Sequence, residues 1–436
     1  MGMSYRNFIC SEVLHKVEVY FEITYVALEN SSILKLLREN NKKVIELKIG
    51  KIQRIIRRCS SFFERLQYLS FYQKHKTETM KKYIERDKES TLFPFYYFLA
   101  KLIGCLYDNF SFVSLHYPYF IPSDIRRKMC DYDCIFILSS DEPLDKSFLR
   151  HSKNIKLKNY LMVHSWDNLP ARGYLSAKPD KLFVWNQIMK KQALELHDLN
   201  SKNVEIVGVP QFYFYQKISK NINEKSFNNF YRLGGNKKVI TYTCSACRVF
   251  PDEDMFIDEL LKIIKKKELI LILRLHPVER KDEYLLRYSN ESNMILDTPG
   301  GLFGATVNNN ISDDIEEIRK FVSLMKYSSI VINLASTTSL DAAIFNTPVI
   351  CVSFNIDTYY NNKWNKAKEW YKSSHYKDII ESKSVRVVND IEELEDAIEM
   401  YIINSDVNTE DRLKLSDNFC NFKYEVDEQL LQSFQT

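Results

Sequence analysis

The hydrophobic pattern of this chain changes character along its length. From about Ser31 to Tyr83, apolar residues recur at helical spacing among many Lys and Arg residues. Leu34, Leu36 and Leu37, then Ile52, Ile55 and Ile56, predict helices with basic outer faces. A very aromatic stretch follows, from Phe93-Pro94-Phe95-Tyr96-Tyr97-Phe98 to Tyr117-Pro118-Tyr119-Phe120. Beyond it, short apolar runs alternate with helical patterns. Residues 134–138, 160–163, 181–185 and 204–207 are predicted strands of one series, and 239–242, 269–275, 330–333 and 349–352 of a second. Strands alternating with helices build parallel sheets. A continuous apolar run such as Leu269-Ile270-Leu271-Ile272-Leu273 belongs to a strand covered on both faces.

The two series are separated by a polar segment, Lys217-Ile218-Ser219-Lys220-Asn221-Ile222-Asn223. The expected architecture is α/β, with two doubly wound parallel-sheet domains facing a cleft. Expected boundaries are 1–220, including a helical N-terminal extension, and 234–400, followed by a helical tail over 401–436. A length of 436 residues fits two cores better than one.

Composition narrows the classes. With 45% hydrophobic and 27% charged residues the chain reads as globular. A net charge of +4 suits anionic small molecules or an anionic membrane surface, and is too small for a dedicated nucleic-acid binder. The chain has only 10 glycines, with no G-x-G-x-x-G and no Walker A loop, so the usual dinucleotide and P-loop readings lose their support. No apolar run is long enough to span a bilayer, and the N-terminus lacks the apolar centre of a signal peptide. Nine scattered cysteines indicate reduced thiols, and the expected location is cytoplasmic.

The chemistry concentrates at strand ends. After the strand at 239–242 come Thr243-Cys244-Ser245-Ala246-Cys247 and Pro251-Asp252-Glu253-Asp254. One C-x-x-C cannot close a tetrahedral zinc site, and its helix starts too late for a thioredoxin motif. A loop of small residues, with Ser245, instead suits the approach of a phosphate. The next strand ends in Arg274-Leu275-His276-Pro277, with Arg280 close behind. Open α/β sheets hold ligands at this carboxyl edge, although a histidine capping a loop would look the same. A third strand ends in Leu334-Ala335-Ser336-Thr337-Thr338-Ser339, four hydroxyls where helix capping needs one. That surplus points to a pyrophosphate. In the first series, Val163-His164-Ser165-Trp166-Asp167-Asn168-Leu169-Pro170-Ala171-Arg172-Gly173 places His164 and Asp167 at a strand end. A carboxylate there suits general-base catalysis; an Asx-type turn over a core Trp166 explains the same residues.

In this order, the motifs resemble the GT-B glycosyltransferase superfamily, and within it bacterial surface-polysaccharide transferases with a Ser-Trp-Asp-Asn motif. The matching residues are Ser165 to Asn168, Val184-Trp185-Asn186, Gly208-Val209-Pro210-Gln211-Phe212, Pro251-Asp252-Glu253, His276-Pro277, Ser336-Thr337-Thr338 and His375-Tyr376. The resemblance covers roughly residues 130 to 425. More distantly the layout is similar to teichoic-acid glycerophosphotransferases and to GT-B sialyltransferases. The glycerophosphotransferases carry Trp-His-Gly where this chain has Trp166-Asp167-Asn168, which favours a sugar acceptor here.

The resemblance implies transfer of a sugar from a nucleotide donor to a hydroxyl of a surface glycan or lipid-linked acceptor, without metal or cofactor. It assigns Ser245, Glu253, Arg274, His276, Ser336, Thr337 and Thr338 to the donor. It makes Asp167 the base if the reaction inverts configuration, a role a retaining reaction would not need, with His164 beside it, and gives substrate contacts to Trp166, Asn168, Asn186, Gln211 and His375. The basic helices and aromatic segment of residues 31–120 suit peripheral docking on the inner face of the plasma membrane, while a solvated helix face over core aromatics explains the same residues; nucleic acid is not an expected partner. Three rivals stay open: a polyol-phosphate transferase using a CDP-linked donor, a nucleotide-sugar epimerase on this architecture, and a non-catalytic sugar-nucleotide or glycan binder.

Overall fold

The computed structural model describes residues 2–106, 120–234, 237–276, 281–299, 315–420 and 424–435. The chain divides into two compact units, each built from separated segments. One comprises Met1–Leu14 and Val209–Lys423, the other His15–Gly208 and Tyr424–Thr436.

The unit containing His15–Gly208 has two parallel sheets among its described residues. A small one pairs β1 (Tyr25–Leu28) with β2 (Val44–Leu47). The larger runs β3 (Cys134–Ile137), β4 (Lys158–Met162), β5 (Lys181–Val184) and β6 (Val204–Ile206) in sequence order. Its centre is apolar on both faces, with Leu161, Leu182, Phe183 and Val184 buried. Phe434, in the last helix (Val426–Gln435), completes this core. Its ring centroid lies 5.2 Å from Phe136, 4.7 Å from Tyr160 and 6.0 Å from Phe183, the edge-on spacing that aromatic quadrupoles favour. Basic helices Lys51–His75 and Glu78–Asp87 belong to this unit, as does the apolar helix Phe93–Leu106.

The other unit is a six-stranded parallel sheet. Its strands are β7 (Val239–Thr243), β8 (Ile270–Arg274), β9 (Met294–Asp297), β10 (Ile330–Asn333), β11 (Val349–Val352) and β12 (Arg386–Val388). They lie in the order β12-β11-β10-β7-β8-β9. β7, β10 and β11 are buried at every position, as their continuous apolar runs require. Helix Glu253–Lys266 adds Phe256, Leu260 and Ile264 to the shared core, and helix Ile391–Ile403 adds Leu394 and Ile398.

All eight predicted strands are present, two with the predicted ends and six with ends shifted by one or two residues. β1, β2, β9 and β12 were not among them; none of the four is buried at every position, so none carries a long apolar run. The division into units also differs from the expected one. It falls at Gly208, not in the polar segment, because helix Pro210–Ser219 takes up Lys217, Ile218 and Ser219. Gly208 has φ +85°, and a Cβ there would come within 3.3 Å of the Val426 side chain. Residues 1–14 group with the second strand series and 424–436 with the first, which no sequence pattern indicates. Part of the aromatic stretch, with Pro277, Arg280 and Gly235-Asn236, lies outside the described residues.

Candidate functional site

In the Val209–Lys423 unit the chain runs outward from β7 through β8 to β9, then returns to place β10 on the other side of β7. Neighbouring strands therefore lead away in opposite directions at the β10/β7 boundary. Open α/β sheets bind ligands at such a switch point, beyond the carboxyl ends of the strands. Thr243 ends β7 and Asn333 ends β10. The hydroxyls of Thr243 and Thr338 lie 3.1 Å apart across this boundary.

The turn after β10 is held by several bonds. Asn333 is fully buried; its Oδ1 accepts the Ser336 amide at 3.1 Å and its Nδ2 donates to the Ser339 hydroxyl at 3.0 Å. Ala335 has φ +42°, an uncommon conformation for a residue with a Cβ. The Ala335 amide donates to the Tyr371 hydroxyl at 3.1 Å, and Tyr371 donates to the Val352 carbonyl at 2.7 Å. Ser339 and Tyr376 share a hydrogen bond of 2.7 Å beneath the turn. The hydroxyls then divide. Ser339 is buried and internal, Ser336 Oγ accepts the Thr338 amide at 3.3 Å, and Thr337 is exposed and makes no side-chain cap bond for helix Thr338–Ala343. Helix capping does not account for this run.

The loop after β7 is fixed by the two carboxylates that follow it. Glu253 is buried; its Oε1 accepts the Ser245 amide at 2.6 Å and the Tyr242 hydroxyl at 2.8 Å, and its Oε2 accepts from Tyr284 at 3.3 Å. Asp252, also buried, accepts from the amides of Ile356 and Asp357 and from Asn355 Nδ2, tying the β7 loop to the β11 loop. His276 is partly exposed, two residues beyond β8.

Arg274 at the end of β8 points into a charged cluster. It pairs with the fully buried Asp297 and, at 3.0 Å, with Glu317, and lies 4.8 Å over the Phe321 ring. Lys320 reaches Asp297 at 2.8 Å. Burial opposes the charge on Asp297, but Arg274 and Lys320 outweigh it and hold the carboxyl below its ordinary range.

In the His15–Gly208 unit, carboxylates gather at the ends of β3 and β4. Asp141 follows β3; its Oδ1 accepts from the Ser139 hydroxyl at 2.9 Å and lies 3.4 Å from His164 Nδ1. Asp167 accepts from the Ser165 hydroxyl. The Arg172 guanidinium lies between the two carboxylates, 3.7 Å from Asp141 and 3.8 Å from Asp167. Burial pushes the Asp145 carboxyl, in the first turn of helix Pro143–Asn154, up to about 7, with Glu142 and Asp141 acting in the same direction.

The motif loop is pinned from below. Buried His197 sits between Leu169, whose carbonyl is 2.9 Å from Nε2, and Leu175, whose amide donates to Nδ1 at 3.4 Å. This fixes the tautomer with its proton on Nε2. Desolvation pushes the imidazole down to about 4, keeping it neutral. Thr77 donates to the Pro170 carbonyl at 2.8 Å and Gln67 to the Tyr174 carbonyl at 2.9 Å. Gly173, with φ +79°, lets the backbone pass Tyr68, where a Cβ would meet Tyr68 Cα at 3.3 Å.

Several residues expected to touch substrate are committed to the fold. Trp166 is buried, in keeping with a core indole. Asn168 is buried and its Oδ1 accepts the Ser165 amide at 2.9 Å, a local bond that reaches back three residues where an Asx-type turn reaches forward two. Asn186 is buried as the N-cap of helix Gln187–His197, accepting the Met189 amide at 3.0 Å. Gln211 bridges Arg6 at 3.1 Å and buried Asp341 at 3.0 Å. His375 is partly buried in helix Ser374–Glu381, beside Tyr376. Sequence reasoning did not single out Thr243, Tyr371, Asp141, Asp145 or His197. For Asp141 a signal existed: Ser139-Ser140-Asp141 directly follows a strand, as His164 and Asp167 do. Among the described residues, no three His, Cys, Asp or Glu side chains are grouped to hold a metal ion, and no helix is long and apolar enough to cross a membrane.

No family model matches the chain, and no curated protein matches it in sequence. Solved structures do. A proposed UDP-N-acetylglucosamine 2-epimerase from Listeria monocytogenes aligns with a TM-score of 0.57 and 11% identity, over 100% of this chain and 92% of its own. The UDP-GlcNAc 2-epimerase of Neisseria meningitidis, bound to UDP-GlcNAc, gives 0.56 and 10%, over 99% and 97%. A glycosyltransferase from Rickettsia africae gives 0.49 and 11%, over 98% and 93%. With the parallel α/β sheets described above, the first two establish the fold class as GT-B, with two Rossmann-like domains.

Proposed function

We propose that this protein is a glycosyltransferase using a nucleotide-sugar donor. The observation that carries the reading is the Ser336-Thr337-Thr338 turn at the β10/β7 switch point, held in place by Asn333 and Tyr371 with Thr243 beside it. Donor phosphate would rest on Ser336, Thr337 and Thr338, with the Ser245 loop and His276 at neighbouring strand ends. Such groups stabilise charge best when positioned in advance, and strained turns of this kind recur at ligand sites. Glu253 and Arg274 serve the same site by positioning: Glu253 holds the Ser245 loop, and Arg274 is occupied by Asp297 and Glu317.

On the other unit, Asp167 would accept the proton of the acceptor hydroxyl as its oxygen attacks the anomeric carbon and the nucleotide leaves. Arg172 and the Ser165 hydroxyl orient the Asp167 carboxylate for that step. Surface glycans are the favoured acceptor class, on the sequence resemblance alone.

A second reading, 2-epimerisation of the donor sugar, is favoured by the end-to-end likeness to the Listeria and Neisseria epimerases. One experiment separates the two. The protein is incubated with UDP-N-acetylglucosamine, and with UDP, CMP, CDP, GDP and TDP sugars in parallel, with and without glycan acceptors. Free nucleotide together with an extended acceptor supports transfer. Conversion of the donor without acceptor supports epimerisation, and nucleotide binding with no turnover overturns both.

A further inference from the structure

We propose that Asp141 is a positioning residue for His164. It holds the imidazole with its proton on Nδ1, so that a bare Nε2 accepts a hydrogen bond from a hydroxyl of the sugar acceptor, beside the one that Asp167 deprotonates. The two residues leave neighbouring strands at one sheet edge. β3 and β4 pair in parallel with Ile137 opposite Leu161; Asp141 lies four residues beyond β3 and His164 two beyond β4. Asp141 is itself fixed from both sides. Its Oδ1 accepts from the buried Ser139 hydroxyl at 2.9 Å, and the Ser139 oxygen accepts the Asp141 amide at 3.5 Å. Its Oδ2 faces Arg172 Nε at 3.7 Å. Held so, Oδ1 stands 3.4 Å from His164 Nδ1. That separation is longer than a formed hydrogen bond, and bonds of this kind often close only when substrate arrives.

The surroundings of the ring select its tautomer. Among the described residues Nδ1 is buried with no other partner, while Nε2 is neither buried nor hydrogen-bonded. Carboxylate oxygens accept, so a lone pair on Nδ1 would face them unmatched, whereas a proton there finds a partner. Buried His197 shows the opposite arrangement: both of its nitrogens meet the backbone, with the proton on Nε2. Two histidines of one unit thus carry opposite tautomers, one committed to the fold and one open at the edge where Asp167 stands. A bare imidazole nitrogen takes O–H donors and repels carboxylate and phosphate oxygens. Asp141 and Asp167 at the same edge disfavour an anion further. The acceptor group that fits is a neutral polyhydroxyl one, an assignment that rests on the glycosyltransferase reading above.

The test is proton–nitrogen correlation NMR on the full chain with isotope-labelled histidine at alkaline pH, where imidazole is neutral. The His164 signal is assigned by its loss in His164→Gln. The proton is expected on Nδ1 in the unaltered protein and on Nε2 in Asp141→Ala, which removes the carboxylate. The same variant should lower kcat/KM for the acceptor about tenfold, with nucleotide affinity and circular dichroism unchanged. A proton on Nε2 in the unaltered protein, or a tautomer that survives Asp141→Ala, overturns the proposal. So does an acceptor kcat/KM that Asp141→Ala leaves as it was. If no donor is turned over at all, the glycosyltransferase reading falls, and the tautomer still decides whether Asp141 positions His164.

Discussion

The hydroxyl of Tyr371 accepts the amide hydrogen of Ala335 at 3.1 Å, on a residue whose φ is +42°. The bond satisfies a backbone donor at the one residue of the β10 turn in a left-handed conformation. Tyr371→Phe keeps the ring and removes the hydroxyl, leaving the Ala335 amide and the Val352 carbonyl short of a partner. A loss of about 1–3 kcal/mol in urea denaturation is expected. If the turn holds donor phosphate, nucleotide affinity by calorimetry should fall as well, because a relaxed turn must be reordered on binding.

Arg274 is a case in which lost activity would mislead. Removing one member of a buried charge network leaves its partners uncompensated, at a cost of about 3–5 kcal/mol. Arg274→Met should therefore lower the unfolding free energy from chemical denaturation by that order. His276→Ala, at a partly exposed position, should lower it by only about 1 kcal/mol, the ordinary cost of a point substitution. Comparing nucleotide binding in the two variants separates a donor contact from a strut.

His197 ties stability to pH. Its folded pKa is depressed from 6.5 to about 4, so between those values the unfolded chain binds the extra proton. The stabilisation is present above about pH 6.5 and is lost as pH falls toward 4. The loss attributable to this residue is about 3 kcal/mol. Denaturation curves at pH 7.5, 6 and 5 should show a decline that is largely absent in His197→Gln, a variant starting from lower stability.

Asp167 and Asp145 divide the question of the base. Asp167→Asn should lower kcat by about 10²–10⁴-fold with nucleotide affinity unchanged. The Asp145 carboxyl stands at about 7, which would place an acidic limb of kcat near neutrality if it took part. Such a limb, vanishing in Asp145→Asn while Asp167→Asn stays active, would transfer the role to Asp145.

Much of the scaffold was legible because buried parallel strands are continuous apolar runs, as at Ile330–Asn333 and Val349–Val352. Met294–Asp297, which ends in a carboxylate and is only partly buried at its centre, and the three-residue Arg386–Val388 lack that signal. Site legibility followed another logic. Strand-end position located the turn at Ser336, but polarity alone could not separate a ligand contact from an internal bond. Asn168, Asn186, Gln211 and Glu253 read as candidates and are occupied within the fold, because a buried polar group needs a partner whatever its function. Tyr371 and His197 were hidden for the opposite reason: each lies far along the chain from the loop it holds.

The seating of Phe434 among Phe136, Tyr160 and Phe183 bears on how the molecule is made. A ribosome delivers β3 to β6 some two hundred residues before the ring that fills their aromatic core. The unit whose strands are synthesised first is thus the last to be finished, and must wait with that position empty while the other sheet is threaded out. Truncation before residue 434 should strand the nascent protein at this stage, with its earliest-formed sheet the most exposed to proteolysis.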